Sequence, residues 1–183
     1  MRTTPANAAV AVLLLLAACG KEQTKPVTSD STTTAPTQEG TMRLTSTAFQ
    51  NQGKIPAEYT CDGEGASPPL LISGIPEGTV TLALVMDDPD APSGTWDHWV
   101  AYDIDPTAEI PRDVGALGTA GVNTSGGTGY DGPCPPSGTH RYVHRVFALD
   151  IRLGLAEGAS KVDVVEAMDG HVLAEATLTG LYR

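Results

Sequence analysis

Three stretches of the chain concentrate side chains that could do chemistry. MDDPDAPSGTWDHWV, residues 86–100, places Asp87, Asp88, Asp90 and Asp97 around two prolines, with His98 between Trp96 and Trp99. GTHRYVH, residues 138–144, carries His140, Tyr142 and His144 at alternate positions. GTGYDG, residues 127–132, matches G-x-G-x-x-G. A carboxylate beside an imidazole fixes the tautomer of the ring, and imidazole with phenol can hold an anion through charge-assisted hydrogen bonds. Glycines in tight turns can add several converging backbone N–H groups.

The spacing removes several rivals. A calcium loop needs glycine at its sixth position and glutamate at its twelfth. Counting from Asp88, the fifth position is Pro92 and the sixth Ser93, so that reading fails. Zinc is thinly supported, because only His98 accompanies the carboxylates, and no metal site is expected. Dinucleotide binding needs a strand before the glycines and a helix after them, yet Pro133, Pro135 and Pro136 follow. A hydrolase would want a G-x-S-x-G elbow, which is absent around Ser125, while Ser93 and Ser137 sit beside prolines. A hydrolase using His140 with a reactive Cys134 is the remaining enzymatic rival. Taken alone, the residues leave open a ligand pocket, an Asp–His catalytic pair and a satisfied structural cluster.

These side chains have to be positioned by strands. Thr79 to Met86 alternates, with Val80, Leu82, Leu84 and Met86 on one face. His98 to Ile104, Arg141 to Asp150 and His171 to Tyr182 are also β-like. In a strand starting near His140, period two puts His140, Tyr142 and His144 on one face. Val143, Arg145, Phe147 and Leu149 take the other. Only Lys161 to Met168 reads as a helix, with Ser160 as N-cap and Gly170 just beyond its end. A second helical turn is expected near Gly154 to Glu157. The pattern is mainly β: an antiparallel β-sandwich with one or two short peripheral helices.

The chain is 183 residues long with a formal net charge of −11. That balance provides no basic footprint for nucleic acid. Ala8 to Leu16 is too short an apolar run to span a bilayer, and Leu16-Ala17-Ala18-Cys19 resembles a bacterial lipobox. Residues 1–18 therefore read as a lipoprotein signal peptide, with lipidation expected at Cys19. Gly20 after the cysteine favours the periplasmic face of the outer membrane over the inner one. Residues 19–40, rich in Thr, Ser and Pro, read as a flexible tether, and 41–183 as one domain. An exported chain with Cys61 and Cys134 left over suggests a disulfide, with two free thiols as the alternative. The separation is 73 positions, worth roughly 4 kcal/mol in the chain-entropy model.

Two motifs together resemble a known family. Asp88-Pro89-Asp90-Ala91-Pro92 with Trp96-Asp97-His98-Trp99, then Gly138-Thr139-His140-Arg141-Tyr142, is similar to the phosphatidylethanolamine-binding protein (PEBP) or Raf kinase inhibitor-like family. Ile55 to Gly63, Ser67 to Leu70 and Tyr130 to Pro136 resemble its bacterial YbhB/YbcL-type branch. The resemblance implies a PEBP-like β-sandwich that binds a phosphate-like anion in a small cavity. Asp88, His98, His140 and Tyr142 would line it, and Gly132 would contribute its backbone. It implies non-catalytic binding without a cofactor, the ligand being possible as a phospholipid headgroup, and contact with a membrane only through the lipid anchor. Inhibition of a partner enzyme is the alternative that some relatives suggest. His144 stands where the family has an aromatic or apolar residue, which implies a more polar pocket surrounding here.

Overall fold

The computed structural model describes residues 41–183, so the signal peptide, Cys19 and the whole of the tether lie outside the described residues. Two sheets face each other. The smaller has the order β1 (Arg43–Thr45), β3 (Leu70–Ser73), β6 (Glu109–Ile110), all antiparallel. The larger has six strands in the order β2 (Gly53–Lys54), β9 (Val172–Tyr182), β8 (His140–Leu149), β4 (Thr81–Asp88), β5 (Trp96–Ile104), β7 (Thr119–Ala120). Its ladders are antiparallel except for the short β2–β9 edge pair. Both edge strands are two residues long, and β2 pairs only Gly180 and Leu181 of the eleven-residue β9.

Every residue of β4 is buried, although its sequence reads as a one-sided strand. The cause is a cover on each side of the large sheet. Leu82, Leu84, Met86, Trp99, Tyr142, Val146 and Leu178 face Leu44, Leu70, Ile72 and Ile110 of the small sheet. On the opposite side, Ala83, Val100, Tyr102 and Leu149 pack against Val164 and Met168 of α1 (Lys161–Met168). Val80, expected on the core face, precedes the strand and is exposed.

The helix forms where the sequence places it. Ser160 accepts the Asp163 N–H, and the Asp163 carboxylate accepts the Ser160 N–H at 2.9 Å, a reciprocal cap worth about 1 kcal/mol. Gly170 follows at φ 77°. The turn expected at Gly154 to Glu157 is not helical. There Asp103, itself at φ 53°, takes the Leu153 and Gly154 N–H groups at 2.7 and 2.9 Å and holds the segment open. The second short helical element is instead a 3-10 turn at Ala57–Tyr59.

Candidate functional site: a cavity at the end of the large sheet

The end of β4, the start of β5 and the start of β8 meet the 130–136 loop around a cavity of about 320 Å³. That volume lies at the small end of the range for ligand pockets. Asp88, His98, Gly132, His140 and Tyr142 all line it, so the five residues expected from the sequence do come together. Trp96, Pro92 and Pro135 add apolar wall. The first four polar side chains are deeply set, with Asp88, His98, His140 and Tyr142 exposing 3%, 5%, 7% and 0% of their surface.

Each polar group is held by a nameable partner. One Asp88 oxygen accepts the Asp90 N–H at 2.8 Å, a local turn across Pro89. The other accepts His140 Nδ1–H at 2.7 Å. This pairing ties the first motif to the second across the sheet. Cross-strand register explains it: Asp87 lies opposite Val143 in the β4–β8 ladder, which brings Asp88 beside the start of β8. His98 is oriented by the backbone instead. Its Nδ1–H donates to the Asp131 carbonyl at 2.7 Å, while the Asp131 N–H donates to the His98 carbonyl at 2.9 Å. Asp131 is thus a positioning residue that the sequence reading missed, its only trace being its place between Tyr130 and Gly132 in the glycine-rich loop.

Tyr142 stands edge-on to His98, ring centroids 5.2 Å apart. Burial pushes its phenol above the ordinary tyrosine value, so it is a donor at physiological pH. Its hydroxyl lies beside the Cys134 backbone but makes no hydrogen bond of ordinary geometry, an orphan where buried polar atoms are normally satisfied. Asp90, at the rim, is occupied by Arg141 through Nε at 2.8 Å and Nη2 at 2.7 Å. The Arg141 hydrogen bond holds the Asp90 carboxyl down at about 2. Of these two acids, Asp90 therefore faces a counter-charge and Asp88 an imidazole.

The 130–136 loop is fastened to the segment after the 3-10 turn. Cys61 and Cys134 form a disulfide with Cα atoms 5.4 Å apart, and the Cys61 N–H donates to the Pro133 carbonyl at 3.1 Å. Tyr130 donates to the Tyr59 carbonyl at 2.6 Å. Gly132 allows the close approach, since a Cβ there would meet Thr60 Cα and the Tyr59 carbonyl oxygen at 3.2 Å. The six-residue glycine motif is divided by this arrangement. Gly132 reaches the cavity, whereas Thr128 and Gly129 line a separate depression against Trp99, in which Glu157 is the lone carboxylate.

His144 corrects a further expectation. It does not line the cavity; it is fully buried between the sheets, with its ring centroid 5.8 Å from that of Phe49. Neither ring nitrogen has a partner of ordinary geometry, and desolvation lowers its pKa from 6.5 to about 4. The polar residue therefore sits in the core, not in the pocket surroundings. Among the described residues, no three His, Cys, Asp or Glu side chains gather as a metal site.

The sequence model described as phosphatidylethanolamine-binding protein matches residues 45–183. A protein of Methanothermobacter thermautotrophicus, named UPF0098 protein, is 54% identical over 149 residues, covering 78% of this chain and 99% of that one. A UPF0098 protein of Chlamydia muridarum is 43% identical over 147 residues, 77% of this chain and 98% of its own. Among solved structures, a PEBP homologue from Chlamydia trachomatis superimposes with a TM-score of 0.76 at 41% identity, over 78% of this chain and 97% of that one. Escherichia coli YbcL, described as a member of the mammalian PEBP family, gives 0.73 at 28% identity, over 79% and 99%. On the extent of these matches, the chain belongs to the phosphatidylethanolamine-binding protein family.

Proposed function

We propose that the cavity binds a small phosphorylated or other anionic ligand and performs no reaction on it. One observation carries this reading: two imidazoles held by Nδ1 and a buried phenol without an acceptor share one small cavity. A phosphate oxygen can take the phenol proton, and Nε2–H of either ring once that ring is protonated. Each Asp88 oxygen already accepts a hydrogen bond, from the Asp90 N–H and from His140, and Asp90 is paired with Arg141. A phospholipid headgroup is one ligand of this chemistry. On this reading the protein works in the bacterial cell envelope, lipidated at Cys19, on the periplasmic face of the outer membrane. Its disulfide, with both half-cystines exposed, suits an oxidising compartment. No helix among the described residues is long and apolar enough to cross a membrane.

The Asp88–His140 pair at 2.7 Å also suits a hydrolase. Against it, Cys134 is in the disulfide, and no serine hydroxyl among the described residues bonds His140, although Ser93 lines the cavity. Calorimetric titration with inorganic phosphate tests the binding reading, alongside turnover of generic ester substrates. Saturable heat with no turnover is the expected result. Ester hydrolysis that vanishes in His140→Ala would replace the binding reading with the hydrolase.

A further inference from the structure

Which atoms carry protons in the cavity follows from its hydrogen bonds. A carbonyl oxygen cannot donate, so the contact with Asp131 fixes the His98 proton on Nδ1. An ionised carboxylate cannot donate either, so Asp88 does the same for His140. In each neutral ring Nε2 then carries the lone pair. Both rings line the cavity, and among the described residues neither Nε2 has a protein partner. With both rings neutral, the cavity thus offers two acceptors, with the Tyr142 hydroxyl as a donor beside them.

The surrounding groups do not supply a further proton. Asp88 and Asp90, from the end of β4 and its turn, are acids, and Asp90 occupies Arg141. Asp97 on β5 pairs with Lys161 of α1, and the Asp131 carboxylate accepts the Ser125 hydroxyl at 2.8 Å. From β9, Tyr182 lies opposite His140 in register and donates to Asp62. His144, two places beyond Tyr142 on β8, is buried and held neutral by desolvation.

Resting on the reading of the cavity as an anion site, we propose that it selects tetrahedral oxyanions carrying their own proton over those carrying none. Hydrogen phosphate donates its P–OH to one Nε2 and accepts from Tyr142 with another oxygen. Sulfate has the same shape and, at about pH 8, the same charge of about −2, but it meets two lone pairs with nothing to donate. It must wait for a solvent proton on one imidazole. A phosphate monoester, whose second pKa is about 6, is mostly the unprotonated dianion near neutrality, and a phosphate diester, the chemistry of a phospholipid headgroup, carries no proton there at all. The favoured ligand is therefore free hydrogen phosphate, not a lipid diester.

Titrations of the protein with inorganic phosphate, sulfate and dimethyl phosphate, at about pH 8 and again at about pH 5.5, test this at fixed ionic strength. Phosphate is expected to bind about tenfold tighter than sulfate or dimethyl phosphate at the higher pH, one hydrogen bond's worth of discrimination. Sulfate equal to phosphate at the higher pH overturns the selectivity while leaving an anion site in place. Dimethyl phosphate equal to phosphate overturns it in favour of a diester headgroup. Binding of none of the three at either pH overturns the anion reading itself, and the selectivity with it.

Discussion

Asp87 and Asp88 are neighbours in one strand, both almost wholly buried, and they serve opposite faces of the large sheet in opposite ways. Asp87 turns toward the helix side, where Arg145 Nη1 reaches it at 2.9 Å and Lys161 Nζ at 3.2 Å. Lys161 also pairs with Asp97, so the first residue of α1 is tied to both β4 and β5. On that face each charged group meets a counter-charge. Asp88 turns toward the cavity and satisfies His140, but there the chain of partners stops, leaving two Nε2 atoms and the Tyr142 hydroxyl without protein partners among the described residues. The same ingredients build a clamp on one side and a binding surface on the other. The helix side leaves Asp87 Oδ1 without a hydrogen bond, yet its charges are paired in contact; the cavity side leaves its unpartnered groups around an open space.

That contrast can be broken or sharpened by experiment. The largest effect is expected at the cavity rim, where the Cys61→Ser/Cys134→Ser variant should lose about 4 kcal/mol of stability in denaturant unfolding. A loss much below that would mean the Tyr130–Tyr59 and Cys61–Pro133 hydrogen bonds already hold the loop. Next comes the core behind the cavity. The folded pKa of His144 is lowered to about 4, so the unfolded chain binds a proton that the folded one refuses. Its contribution is therefore fully present above about pH 6.5 and declines as pH falls toward about 4, amounting to about 3 kcal/mol. Unfolding free energies at the two ends of that window should differ by this much less in His144→Leu than in the native sequence.

The two faces are compared most directly by a pair of conservative changes. On the helix side, Lys161→Met should cost about 1–2 kcal/mol of stability, because two carboxylates lose a counter-charge, and leave phosphate affinity within about twofold. On the cavity side, Tyr142→Phe removes a hydroxyl that has no partner in the free protein. Stability should change by less than about 0.5 kcal/mol, while phosphate affinity falls about tenfold. If Lys161 governed affinity and Tyr142 governed stability, the division of labour between the faces would be wrong.

Much of this was legible in the residue order, and the exceptions share one physical cause. Period-two alternation placed His140, Tyr142 and His144 on one face, and cap chemistry placed α1, because both depend on neighbours within a few residues. The partner of Asp88 was not legible, since it depends on how β4 and β8 are registered across 52 positions of chain. Nor was the role of Asp131, whose contribution to His98 is a backbone carbonyl that any residue supplies. Alternation also could not say where along the shared face the cavity ends and the core begins. That boundary falls between Tyr142 and His144, where Phe49 from a distant loop closes the space.

The four histidines of the chain provide the most direct test of the central claim. His98 and His140 line the cavity, His144 is sealed in the core, and His171 sits at the surface with its Nδ1 on Asp150 at 2.8 Å. Long-range proton–nitrogen NMR spectra recorded during a titration with inorganic phosphate resolve each ring nitrogen. If the cavity is an anion site, the Nε2 signals of His98 and His140 shift saturably while those of His144 and His171 stay in place. Unmoved signals at His98 and His140, or a response at His171 alone, would contradict it.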